Sequence, residues 1–116
     1  MDKNEIFENM LLELRRGVTS LAVLLLLQKE QYGYSLQTNL AEFGLTIEQG
    51  TLYPLLRRME SQGLLSSVWR VEEGRPRRYY VINQEGERLV RKMESEWGSL
   101  HQMINQLKQK IESEEK

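Results

Sequence analysis

Apolar positions recur at helical spacing over residues 3 to 15, where Ile6, Phe7, Met10, Leu11 and Leu14 share one side and Glu5, Glu8, Glu13 and Arg15 fall elsewhere. This predicts a first amphipathic helix, broken by Gly17. Thr19 or Ser20 is then placed to cap a second helix through Leu27, whose almost unbroken apolar run predicts deep burial. The stretch QYGYS interrupts with Gly33. Ser35 opens a third helix with Leu36, Leu40 and Phe43 on one face, closed by Gly44. In TIEQGTLYPLLRRMESQG, Thr46 and Gln49 have capping-box spacing, Leu52, Leu55, Leu56 and Met59 form a buried stripe, and Gly63 ends the helix. Pro54 demands either a kink or a start near Gly50 or Thr51, because its ring meets the carbonyl of Gly50 in a regular helix.

Two helices joined by a short glycine-bearing turn make a helix-turn-helix. The pattern then changes period. Ser66 to Glu72 and Arg77 to Ile82 are rich in β-branched and aromatic residues, are joined through Gly74 and Pro76, and predict a hairpin. A hairpin directly after the second helix of a helix-turn-helix is a winged helix, with the turn as the wing. Asn83 caps a last helix, which carries Leu89 and then Met93, Trp97, Leu100, Ile104, Leu107 and Ile111 at spacings of 4, 3, 4, 3 and 4, the alternation of a coiled-coil seam. The expected fold class is mainly α with a small β-hairpin. Residues 1–83 form a winged helix-turn-helix domain with an extra N-terminal helix, and residues 84–116 a dimerisation helix.

Composition narrows the chemistry. The chain has 116 residues and no cysteine, so disulfide and thiolate roles are excluded. One histidine (His101) and one aspartate (Asp2, in a terminus that reads as disordered) do not supply the clustered groups that catalysis or a metal site requires. Neither an enzyme nor a cofactor is expected. The apolar run Leu21 to Leu27 is far short of the roughly 20 residues that span a bilayer, and MDKNEIFENM lacks the pattern of a secretory signal. A cytoplasmic location without a membrane partner is the expectation. The net charge of −1 conceals an asymmetry: Arg57 to Arg78 holds six arginines against three glutamates, while the remainder is acidic. Positive charge gathered in one place suits a polyanion.

The segments YGYSL, GTLYPLLRRMESQGLL, EEGRPRRYYVI and the EG that follows occur in an order that closely resembles the PadR family of bacterial transcriptional regulators, over roughly Arg16 to Arg91. The resemblance implies a winged-helix homodimer that represses promoters, in the short subgroup with a single C-terminal dimerisation helix. Where that family usually has threonine, this chain has Asn83, an equal or better N-cap.

With double-stranded DNA as the expected partner, the exposed remainder of the second helix supplies the groove-facing residues: Gln49, Gly50, Thr51, Tyr53, Pro54 and Arg57. Gln49 has the geometry to read adenine, and Thr51 to touch a thymine methyl or a phosphate. Tyr53 has an equally good reading as packing between helices. Tyr34 and Ser35, at the start of the preceding helix, are placed to donate to a phosphate. Arg75 is expected at the wing tip. Arg77 and Arg78 alternate sides of the strand, so that one grips the backbone. A solvated turn is the plainer alternative for all three. In the last helix, Met93, Trp97, Leu100, Ile104, Leu107 and Ile111 are the expected dimer interface. Trp97 carries a second reading, stacking on a planar aromatic effector, because ESEWGSL resembles a lactococcal multidrug-resistance member of the family. Two rivals keep the fold without direct DNA binding: a protein-interaction adaptor and a small-molecule sensor.

Overall fold

The computed structural model describes residues 2–115. Its elements are α1 (Lys3–Leu26), β1 (Gln31–Tyr32), α2 (Gly33–Glu42), α3 (Gln49–Ser61), β2 (Leu65–Glu72), β3 (Arg75–Ile82) and α4 (Gln84–Glu115). The mainly helical fold with a small antiparallel sheet is the expected class.

One long helix replaces the two expected at the N-terminus. Gly17 stands in α1 with no neighbour near its missing Cβ, and one exposed glycine costs only about 1 kcal/mol relative to alanine. Thr19 caps nothing; its hydroxyl donates to the Arg15 carbonyl at 2.9 Å within the same helix. The start of the helix is ordered by Asp2, whose carboxylate accepts the Glu5 amide at 2.8 Å. Asp2 is thus an N-cap and not part of a loose end.

The ends of α2 and α3 follow the left-handed glycine rule. Gly44 (φ +87°) and Gly63 (φ +81°) each follow a helix, and the amides of Leu45 and Leu64 return to the carbonyls of Leu40 and Met59 at 3.0 Å. Phe43 does not share the face of Leu36 and Leu40. It is the C-cap residue of α2 and its ring is exposed, because the backbone has already left the helix there. The Thr46–Gln49 capping box is also absent: Glu48 is the N-cap of α3 and makes no side-chain cap bond. The helix starts late but leaves Pro54 inside it. The amide that proline lacks would have served the Gly50 carbonyl, and both residues are exposed, so that carbonyl is open to solvent.

The sheet has three strands in the order β1-β3-β2, all antiparallel. The short β1 pairs Gln31 with Tyr80 and Tyr32 with Tyr79. Two residues carry no periodicity, so this strand has no signature in the sequence. The hairpin turn is Glu73–Gly74, both with positive φ (51° and 76°), as a two-residue hairpin turn requires. Pro76 is not in the turn. It lies in β3 opposite Val71, one step beyond the Glu72–Arg75 pair that closes the loop. Ladder bonds alternate along such a pair, so the position of the missing N–H faces away from β2.

Val23, Leu24 and Leu27 of α1 meet Leu36 and Leu40 of α2, the stripe of α3, Tyr80 and Ile82 of β3 and Val90 of α4 in a single core. Asn83 caps α4 as expected: its carboxamide oxygen accepts the Gly86 amide at 2.9 Å, and its NH2 group donates to the Gly63 carbonyl at 2.9 Å. One side chain therefore ties the ends of two helices together.

Candidate nucleic-acid interface

The helical period sorts α3 into lines. With Leu52, Leu55, Leu56 and Met59 buried, Gly50, Pro54, Arg57 and Ser61 fall on the opposite line and are all exposed. Gln49, Tyr53 and Glu60 lie on the flank towards the sheet, and Thr51 and Arg58 on the flank towards α1. Two crevices of about 440 Å³ and 670 Å³ border the helix on those flanks. The first is lined by Tyr53 and Arg57 against Trp69 and Arg78 of the hairpin, the second by Thr51, Pro54 and Arg58 against Arg15 and Arg16 of α1. Arginines thus stand on both sides of the exposed line. Sequence reasoning misses Arg58, Arg15 and Arg16 as part of this face, although the same helical period already sets Arg58 away from the stripe.

Arg57 on this line, and Gln49 and Thr51 on its two flanks, are exposed and polar. Arg57 makes no ion pair among the described residues. Tyr53 is half-buried, and its ring lies so close over Gly33 that any side chain there would collide with it. Packing between α2 and α3 therefore claims most of Tyr53. At the start of α2, Tyr34 is exposed, while the Ser35 hydroxyl donates to the Gln31 side-chain carbonyl at 3.2 Å.

The hairpin places its arginines unequally. Arg75 follows the turn, is exposed and has no ion pair among the described residues. Arg77 is on the outer face, with its guanidinium 4.6 Å from the centre of the Tyr32 ring and 3.4 Å from the Glu72 carboxylate. Arg78 is on the inner face, bonded to Glu60 of α3 at 2.6 Å and to Ser67 of β2 at 3.0 Å. Arg70 pairs with Glu30 and lies 5.2 Å from the Tyr79 ring, which meets Tyr32 edge-on at 5.4 Å. The Tyr79 phenol is pushed up from its ordinary value, first by its hydrogen bond to the Glu72 carboxylate and then by loss of solvent. Loss of solvent raises that of Tyr80. Of the three wing arginines, only Arg75 is uncommitted among the described residues.

On α4, Leu89 and Met93 are half-buried against the core, but Trp97, Leu100, Ile104, Leu107 and Ile111 are exposed on this chain. The Trp97 ring stacks on His101, nearly parallel at 4° with centres 5.5 Å apart. Both border an apolar groove of about 580 Å³ between α1 and α4 that also touches Val18, Leu21 and Met93. Among the described residues there is no cluster suited to a metal and no helix long and apolar enough to cross a membrane.

Residues 23–92 match the model of the transcriptional regulator PadR-like family. The chain is similar to the crystal structure of a PadR family transcriptional regulator from Eggerthella lenta, with 45% identity and a TM-score of 0.85 over 90% of this chain and 93% of that one. It is similar to a PadR-like regulator from Bacillus cereus at 30% identity and a TM-score of 0.74, over 82% and 95% of the two chains. A 57-residue segment, 49% of this chain, is 44% identical to the transcriptional regulator Rv3488 of Mycobacterium tuberculosis and spans about half, 53%, of that protein. With the winged helix, the exposed α3 line and the free wing arginine in place, these matches lead to one conclusion: the chain belongs to the PadR-like family of transcriptional regulators, non-enzymatic proteins that act by binding DNA.

Proposed function

We propose that the protein is a homodimeric repressor that sets two copies of α3 into successive major grooves of a pseudo-palindromic operator, about 34 Å apart. The observation that carries the reading is the α4 seam. Five apolar residues at coiled-coil spacing, from Trp97 to Ile111, are each about half exposed, between 50% and 55%. A second copy would cover them and fix the distance between the two recognition helices. Gln49 and Thr51 read base edges, Arg57 and Arg75 hold phosphates, and Tyr34 adds a contact at the start of α2.

The groove beside Trp97 supports a ligand response. Its apolar walls and its ring of tryptophan and histidine suit a planar aromatic molecule, which would release DNA by favouring a dimer geometry with the wrong α3 spacing.

The test is a titration against DNA from upstream of the gene across a salt series, with an unrelated duplex as control and sedimentation equilibrium for the dimer. Specific binding that falls steeply with salt is expected. Arg75→Ala should weaken all sequences alike, whereas Gln49→Ala should alter preference at particular positions. Equal affinity for both duplexes at low salt would overturn the operator reading. Quenching of Trp97 by planar aromatics, with Trp69 replaced by phenylalanine, tests the effector.

A further inference from the structure

We propose that Arg78 is a positioning residue that holds the wing at a set angle to α3 through Glu60, and not a phosphate contact. The inference rests on the DNA-binding reading above, in which α3 and the wing tip must meet one duplex together.

Three elements close on one point. The Arg78 guanidinium donates to one Glu60 oxygen at 2.6 Å and to the Ser67 hydroxyl at 3.0 Å, and that hydroxyl donates to the other Glu60 oxygen. Glu60 belongs to α3, Ser67 to β2 and Arg78 to β3. Two rings flank the guanidinium, Tyr80 at 5.5 Å and Trp69 at 5.8 Å. Both oxygens of the Glu60 carboxylate are thus engaged by the hairpin, and a planar arginine fork is suited to hold such a group in a set orientation.

The position gives the clamp leverage. Arg78 is three residues from Arg75, roughly 10 Å along the strand, so a small rotation at the clamp moves the tip by more. Beyond Tyr79, β3 has only β2 beside it, since β1 pairs with Tyr79 and Tyr80 alone. A two-stranded ribbon of this kind twists readily. Glu60 also makes little sense as a bare carboxylate on the helix that approaches DNA. Paired with Arg78, it adds no net charge there.

Plain electrostatics and the clamp predict opposite signs for one variant. Removing a negative charge near DNA should tighten binding, yet the clamp predicts that Glu60→Gln weakens operator binding roughly tenfold, within the range of coupled neighbours. The charge-balanced pair Glu60→Gln with Arg78→Gln should weaken it by a similar factor and leave the slope of log affinity against log salt unchanged. Arg75→Gln should make that slope shallower by about 1.8, the share of two neutralised phosphates, one from each protomer of the dimer. The titrations use the full chain, with circular dichroism to establish folding. Wing mobility is read separately, from the anisotropy of Trp69 in a Trp97→Phe background, and should fall in Glu60→Gln.

Unchanged or tighter binding by Glu60→Gln overturns the clamp, as does a slope reduced by about 1.8 in the charge-balanced pair, the loss of one phosphate contact per protomer. Unchanged Trp69 anisotropy overturns it whether or not DNA binds. Wild-type protein that shows no operator binding while the anisotropy falls would refute the DNA-binding reading and leave the clamp standing.

Discussion

The helix α3 and the C-terminal half of α4 carry the same kind of apolar stripe and have opposite fates. Leu52 and Leu56 are fully buried and Leu55 and Met59 at most 7% exposed, whereas Trp97, Leu100, Ile104, Leu107 and Ile111 stay at 50% to 55%. The difference is not in the residues. The stripe of α3 meets α1, α2 and the sheet of its own chain, while α4, about 48 Å long at 1.5 Å per residue, runs past the domain that holds its first turns. The first half of α1 behaves like the end of α4, with Ile6, Phe7, Met10 and Leu14 all exposed. An amphipathic pattern therefore specifies that a face will be covered, and not by what.

Substitutions should separate the two regions by size of effect. The largest is expected at Leu56, enclosed on all sides: Leu56→Ala should cost about 3 kcal/mol of unfolding free energy, read from urea melts. Gly86→Ala comes next at about 2 kcal/mol, because a Cβ at that buried site would run into the Leu64 carbonyl and the Ile82 side chain. Leu107→Ala should leave the stability of the single chain within about 0.5 kcal/mol but weaken self-association roughly tenfold by sedimentation equilibrium. A Leu107→Ala chain that loses as much stability as Leu56→Ala, independently of protein concentration, would dissolve the contrast. The smallest effect is expected at Gly98, on the open part of α4 with nothing near its missing Cβ: Gly98→Ala should stabilise the helix by up to about 1 kcal/mol.

Much of this architecture can be read before any coordinates are seen, and the exceptions are physical. The buried stripe of α3, the hairpin and the Asn83 cap all rest on local rules of period and capping. Gly17 misleads because helix propensity is a weak force: the apolar run after it packs into the core, and that burial outweighs one glycine. The Thr46–Gln49 box has the right spacing, yet the backbone turns into the helix only after Glu48. The two residues of β1 become a strand only because β3 lies beside them. Among the candidate DNA residues, Gln49, Thr51, Arg57 and Arg75 were legible as exposed and polar. Packing of Tyr53 between helices was one of its two readings, but its partner Gly33 and the binding of Arg78 to Glu60 were not legible, since those partners are 20 and 18 residues away in the chain.

The sequence alone determined the succession of α3, hairpin and α4, the winged helix, the family and the local gathering of arginine, because each depends on neighbours within a few residues or on a motif that is itself contiguous. Only the tertiary structure decided which arginines are free. Arg77 faces Tyr32 and Glu72 and Arg78 faces Glu60, while Arg75, the first residue after the turn, is exposed with no ion pair among the described residues. Alternation along β3 sends adjacent side chains to opposite faces, and what waits on each face is set by how the sheet lies against α3.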